Sequence, residues 1–505
     1  MCDRNLGIEL KMKLQKLLFN YSLRLCILTC LISVGDSFGA HHESSEVKKA
    51  PVPLTNPIPQ KIRKGEIVVA AIERFRLPQL KDGTTGGSTT NAYARVQYLN
   101  SIGDGSGRVA ICELRGVLYV ADQDGESLQS YLDHRAYDIS FDNSMMPNET
   151  GFAGFAFHPE FSQRGKAGYG KLYTAFSATS GSGESTYLKD DASSHESVIV
   201  EWTTTDHAAV PFKGTRREVF RIGQFAPNHN IGTIGFNPAA KPGSSDYGNL
   251  YFCLGDGGAA FDPKDYGQSL VSPQGAILRI NPIALSSGGS YSIPDDNPFV
   301  SSPNLAPEIW AYGLRHPQHF SWDKSGRMFI MDIGQNQVEE VNIGVAGANY
   351  GWRLREGTFS TGSGVAGIGI GPVYDLPADD PNIFTDPVAQ YDHDEGKANA
   401  SGFVYEGTLL KELIGKFVFA DIVRGRVFYI ETTNLIPGKP AEIKELRLIV
   451  NGKEQDLIDV VGYPNTYATG PRADLRLGVD ESGELYLLTK GDGWVRKLVP
   501  ENRAN

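Results

Sequence analysis

Six times along the chain a glycine opens a short apolar run that ends on polar residues. The copies are GVLYVADQDG from Gly116, GKLYTAFSA from Gly170, GNLYFCLGDGG from Gly248, GRMFIMDIG from Gly326, GKFVFADIVRG from Gly415 and GELYLLTKGDG from Gly483. Several follow another short apolar run and a turn, as in FSWDKSGRMFIMD and LGVDESGELYLLT, where D-x-S-G supplies residues suited to φ > 0. Each unit reads as an antiparallel hairpin with alternating faces. One hairpin cannot bury both its faces, so units repeated every 50 to 90 residues or so must stack on one another. The pattern predicts an all-β fold, a six-bladed β-propeller, with a pair of β-sandwiches as the competing arrangement. In the propeller, equivalent strand ends fall on one rim around a central channel.

Composition agrees: the 505 residues include 57 Gly and 28 Pro, and no long helical-period segment appears beyond the N-terminal region. The net charge of −11 and the lack of a basic run interleaved with aromatics argue against nucleic acid as a partner. Near the N-terminus, Lys11, Lys13, Lys16 and Arg24 precede an apolar run, Leu25 to Val34, and small residues around Gly39 and Ala40. That layout predicts a signal peptide over residues 1–40, a linker over 41–65 and the propeller over 66–505. The run is too short to span a bilayer, so an exported, periplasmic or extracellular protein without a membrane span is expected. Removal of the leader would leave Cys112 and Cys253, expected as buried packing residues although one bridge is possible. Two sequons, Asn148-Glu149-Thr150 and Asn399-Ala400-Ser401, have meaning only if the host glycosylates exported proteins.

The hairpins predict which residues meet at the rim. In APNHNIGTIGFNPAAKPGSSDYGNLYFCLGDGG, the start of the first strand and the end of the second lie side by side, which places His229 beside Asp256. A carboxylate next to an imidazole fixes its tautomer and raises its basicity, giving a proton acceptor. The glycines around Asp256 allow close backbone and ligand approach. The next unit brings Arg315 and the Gly334-Gln335 turn to the same rim, where a guanidinium suits an anionic or polyhydroxyl ligand. Arg424, Arg426 and Lys490 stand near later strand ends, and Arg472 and Arg476 precede the last hairpin. His158 and His393 are expected to have no catalytic role.

From about Ala94 to Val499 the chain resembles the glucose/sorbosone dehydrogenases, soluble quinoprotein sugar dehydrogenases on a six-bladed propeller, and more distantly the Hedgehog-interacting-protein-like propellers. The resemblance is carried jointly by GFAGFAFHPEF, HNIGTIGFNP, LGDGG, GAILRINP, PEIWAYGLRHP, DIGQNQVEEVN, GANYGW and SGFVYEG. It implies His229 as the general base for a sugar hydroxyl and Asp256 as the acid that orients it. It implies Arg315 as a contact to cofactor and substrate, and Glu149 as lying near a substrate-contacting position. It implies pyrroloquinoline quinone as cofactor, with Ca²⁺ on the backbone carbonyls of Gly334 and Gln335, a sugar as substrate and an unidentified electron acceptor. Three departures stand out: Gln335 replaces a proline, harmless if only its carbonyl is used. His316 replaces an asparagine that contacts the quinone. Val423 stands where a lysine binds a quinone carboxylate, with Arg424 adjacent, and Arg472 and Arg476 do not align cleanly with an expected arginine pair. Two other readings remain at this stage. One is a non-enzymatic binding propeller; the other is a calcium-dependent hydrolase using Asp122, Glu149, Asp332 and Asp421.

Overall fold

The structure, a computed structural model, describes residues 51–81, 93–122, 127–137, 140–142, 149–189, 194–285, 288–363, 371–377, 380, 383–464 and 471–503. The expected leader, the first part of the expected linker and the sequon at Asn148 lie outside them. Among the described residues the protein is nearly all β, with helix limited to short pieces such as Leu457–Val461 and His134–Tyr137.

Three separate sheets are antiparallel four-stranded meanders in chain order. The first runs Phe152–Phe157, Lys171–Thr179, His195–Thr204 and Gly214–Gln224. The second runs Ile231–Phe236, Leu250–Leu254, Ala276–Ile280 and Ile309–Tyr312. The third runs His319–Trp322, Met328–Asp332, Val338–Ile343 and Ala389–Asp392. Besides two small two-stranded ribbons, Arg355–Glu356 with Phe359–Ser360 and Tyr463–Pro464 with Pro471–Arg472, a thirteen-stranded sheet carries the rest, and antiparallel runs alternate in it with two parallel junctions. At one junction Arg63–Arg76 pairs with Lys444–Val450, and at the other Val96–Ser101 touches Leu475–Val479. Arg63–Arg76 also pairs antiparallel with the last strand, Trp494–Pro500. The final residues of the expected linker, Arg63 to Gly65, therefore open a strand.

Five of the six glycine-led phrases form the second strand of a meander, Lys171–Thr179, Leu250–Leu254, Met328–Asp332, Lys416–Asp421 and Leu485–Thr489, and the other, Val117–Ala121, is a third strand after Val109–Glu113. Most are buried along their whole length, because each sheet is covered on both faces and residues of both alternations must be apolar. The D-x-S-G turns repeat their bonding as well. Asp323 Oδ1 accepts from Ser325 N at 2.9 Å and Arg327 N at 3.0 Å. Asp480 Oδ1 does the same with Ser482 N and Glu484 N, both at 3.0 Å. The following Gly326 and Gly483 take φ of 86° and 82°.

The first strands of the meanders touch in chain order, from Val96–Ser101 through Phe152–Phe157, Ile231–Phe236, His319–Trp322 and Asn399–Val404 to Leu475–Val479, which touches the first again. Close approach at this ring needs missing side chains: a Cβ on Gly232 would lie 2.5 Å from the Gln318 carbonyl of the next inner strand. Cys112 and Cys253 are buried free thiols, as expected of packing residues. Asn399 is fully buried and its Nδ2 donates to the Glu340 carbonyl at 2.6 Å, so the second sequon offers no accessible amide. No helix among the described residues is long and apolar enough to cross a membrane.

Candidate active site

The rim at the start of the inner strands gathers the chemistry. The Ile231–Leu254 pairing aligns the hairpin so that His229 and Asp256 lie just beyond its ends. His229 Nδ1 and Asp256 Oδ1 are 2.5 Å apart, and both side chains are buried. The other carboxylate oxygen accepts from Trp352 Nε1 at 2.8 Å, and Oδ1 also accepts from Gly258 N at 3.0 Å. Burial works to raise the Asp256 pKa, but the facing His229 and Arg315 hold it below the ordinary range. With the carboxylate on Nδ1–H, Nε2 is left as the basic nitrogen. Burial, with Arg315, lowers the His229 pKa below its ordinary value against the pull of Asp256, so the ring is neutral and ready to accept a proton at pH 7.

The glycines around Asp256 are required by space and by backbone. A Cβ on Gly255 would sit 2.6 Å from His229 Cβ and 2.8 Å from His316 Nδ1. Gly257 and Gly258 take φ of 88° and 94°. Two non-glycine site residues also hold positive φ, Glu149 at 91° and His229 at 58°, conformations that persist only where surrounding contacts impose them. Those contacts are visible: Glu149 Oε2 accepts from His229 N at 2.8 Å and lies 2.9 Å from His316 Nε2. Burial would raise the Glu149 carboxyl, yet His316 and His229 bring it down to about 2. The two imidazoles stack, with centroids 4.8 Å apart and planes 20° from parallel.

Arg315 is anchored by its backbone, which donates to Asp332 Oδ2 at 2.9 Å, while His316 N donates to Asp332 Oδ1 at 2.6 Å. One guanidinium nitrogen donates to the carbonyls of both Ile333 and Gly334 at 2.9 Å. Gln335 joins through its side chain: Oε1 accepts from Arg315 Nε at 3.2 Å and from Phe261 N at 3.0 Å. Where a proline would offer no such group, the Gln335 side chain thus adds contacts of its own. Arg315 also lies over the Trp352 ring, 5.6 Å from the centroid.

With this geometry in view, the comparison with known proteins is decisive about kinship: the model of the glucose/sorbosone dehydrogenase family matches residues 98–457. The chain belongs to the glucose/sorbosone dehydrogenase family. It is similar to the HIPL1 protein of Arabidopsis thaliana, 28% identical over 457 residues, covering 81% of this chain and 62% of that one. The chain thus spans about six tenths of the length of that curated relative. It is also similar to quinoprotein glucose dehydrogenase B of Acinetobacter calcoaceticus, 26% identical over 222 residues, 40% of each chain. A solved glucose dehydrogenase shares the fold with a TM-score of 0.56 at 18% identity, covering 80% of this chain and 96% of that one.

Within this member of the glucose/sorbosone dehydrogenase family, the remaining candidate residues divide. Arg476 is buried, and its guanidinium reaches Gln318 Oε1 at 3.3 Å; Gln318 Nε2 in turn lies 3.3 Å from His316 Nε2. Arg472 pairs with Asp474 at 2.7 Å. Val423 is buried and apolar, and the adjacent Arg424 donates to the carbonyls of Asp394 and His393 at 2.7 and 3.0 Å. Arg426 is held by Glu395 and Glu445, both at 2.7 Å. The carboxylates of the hydrolase reading do other work: Asp332 holds two backbone N–H groups of the Arg315 loop, and Asp421 accepts from Lys397, Ala398 and Arg424 N–H groups. Among the described residues no three His, Cys, Asp or Glu side chains cluster as a metal site. His158 accepts from Glu160 N at 3.1 Å and packs on Phe236, and His393 bonds Glu339 at 2.8 Å.

Sequence reasoning missed Trp352, which ties Asp256 to Arg315, and Gln318, which ties His316 to Arg476. The only signal for Trp352 was its place in GANYGW, and nothing local marks Gln318.

Proposed function

We propose that this protein is an exported sugar dehydrogenase that oxidises an aldose or related alcohol by hydride transfer to pyrroloquinoline quinone, with Ca²⁺, on a six-bladed propeller spanning residues 66–505. The observation that carries the reading is the buried His229–Asp256 pair, with Nδ1 engaged and Nε2 left basic, beside Arg315. The closed ring of six inner strands supports the blade count, and the quinoprotein relative supports the cofactor.

The residues present fit both groups. The buried His316 Nδ1 has no hydrogen-bond partner among the described residues, and Lys490 brings a buried cationic side chain to the same end of the inner strands, a set that suits a polar anionic ligand. The Ile333 and Gly334 carbonyls converge on one cationic nitrogen, so the turn's oxygens are aimed as a cation needs. When bound, the quinone takes up the hydride and its two electrons, with the cation polarising its carbonyl. The chain performs the rest. His229 Nε2 receives the proton of the substrate hydroxyl as the C–H hydride leaves and the C=O bond forms. Asp256 holds the tautomer and stabilises the imidazolium that results. Arg315 orients the anionic and hydroxyl groups, and Trp352 walls the pair from water.

Reconstitution with pyrroloquinoline quinone and Ca²⁺ tests this by dye reduction across a panel of aldoses. Turnover lost by at least about 10²-fold in His229→Ala is expected. A second reading, a binding propeller with no turnover, is favoured by the HIPL1 similarity and by Val423 in place of a lysine. Absence of quinone binding at tens of micromolar would select it.

A further inference from the structure

Lys490 ends the second strand of the last meander, Leu485–Thr489, and its side chain is buried with only 6% of the residue exposed. A buried ammonium ordinarily has a carboxylate against it. The Lys490 ammonium has no hydrogen bond and no ion pair among the described residues, and the charges that act on it are mostly of its own sign. Arg476 rises from the adjacent strand Leu475–Val479, Arg95 precedes the inner strand Val96–Ser101, and Arg472 lies just before them; Asp474 is the one counter-charge. That carboxylate is already taken by Arg472. The backbone is fixed, since Ala94 N donates to the Lys490 carbonyl at 3.0 Å. The cationic group adjoins the His229–His316 stack through Arg476, Gln318 and His316 in succession.

A buried ammonium without a partner of its own, beside a catalytic pair, is costly to the empty protein and is relieved by an anion. We propose that Lys490, with Arg476 beside it, is a carboxylate-binding site that takes over from the absent lysine at Val423, anchoring a planar polycarboxylate such as the quinone from a different strand. This rests on the dehydrogenase reading only for the identity of the ligand; the anion site itself stands on Lys490 and its neighbours. Burial, followed by Arg476, lowers the ammonium's pKa to about 7 despite Asp474. Binding a carboxylate therefore draws a proton onto Lys490 above pH 7.

The test is calorimetric binding to the full chain without cofactor, using pyrroloquinoline quinone and, as a redox-inert probe, pyridine-2,4-dicarboxylate. Lys490→Met is expected to weaken both about 10- to 100-fold, the value of a charge-assisted hydrogen bond. It is also expected to raise the melting temperature of the unliganded protein, because a buried charge is gone. Wild-type affinity should fall between pH 7 and 9 with measurable proton uptake. Lys490→Arg should keep the affinity and lose that pH dependence. Equal affinity and equal pH slope in Lys490→Met would overturn the assignment while leaving the dehydrogenase reading in place. Lys490-dependent binding of the dicarboxylate without quinone binding would uphold the anion site and sink the dehydrogenase reading. Binding of neither probe would overturn both.

Discussion

Asp256→Asn separates a catalytic role for the histidine–carboxylate pair from a structural one. The carboxylate has three donors around it: His229 Nδ1, Gly258 N and Trp352 Nε1. An asparagine amide cannot satisfy all three. If its oxygen stays on His229 and Gly258, its NH₂ faces the indole N–H, and one buried donor is left unpaired. If it flips, the NH₂ donates to Nδ1, the ring takes the opposite tautomer, and Nε2 carries the proton that it should be receiving. An unsatisfied buried donor costs about 1–3 kcal/mol. For the compact unit Pro51–Asn505, roughly 450 residues, the unfolding entropy is about 1 kcal/mol/K, so the melting temperature should drop by only about 1–3 °C. Dye-reduction turnover should fall far more, by about 10²- to 10⁴-fold. ¹⁵N-histidine spectra should show the loss of the Nδ1–H tautomer at His229. A variant that loses a few degrees of stability and keeps near-wild-type turnover would refute the reasoning and reduce Asp256 to a loop brace.

Gly255→Ala places a methyl 2.6 Å from His229 Cβ and 2.8 Å from His316 Nδ1; it should cost about 1–3 kcal/mol by overpacking and lower turnover, seen in thermal melts and kinetics together. Acid acts on the buried groups in opposed directions: Asp332, Glu340 and Asp262, pushed up by burial, favour the folded protein as pH falls, and the buried histidines work against it. Burial lowers His134, His158 and His195 to about 4 and His319 to about 3. Between those values and the unfolded value near 6.5 the unfolded chain binds more protons, so each contribution is complete above about pH 6.5 and is lost as pH falls toward 4, at roughly 3 kcal/mol each. His134→Gln should therefore make the melting temperature less sensitive to acid than in the wild type, and an identical slope from pH 7 to 4.5 in the two proteins would contradict this.

How much of this was legible in the sequence follows from which contacts are local. The glycine-led phrases were readable because period-2 alternation and turn residues are properties of a hairpin; five of the six became the second strand of a meander and Val117–Ala121 the third. His229 against Asp256 was readable for the same reason, since antiparallel register carries the two ends together. Trp352 on Asp256, Gln318 on Arg476 and the unpaired Lys490 join segments far apart in the chain, and only ring closure brings them together. Neither periodicity nor spacing encodes that. Arg424 shows the limit from the other side: its position beside Val423 suggested a substitute anchor, but its guanidinium is spent on the carbonyls of His393 and Asp394.

The strand Arg63–Arg76 lies between Lys444–Val450 and Trp494–Pro500. It is the first of the described strands in chain order, and both of its neighbours are synthesised long after it. During synthesis its two edges stay open, so the ring cannot close on a partial chain, and folding must wait for contacts of very high sequence separation. The pairing of Trp494–Pro500 with Arg63–Arg76 is then the latch that decides when the sheet is complete.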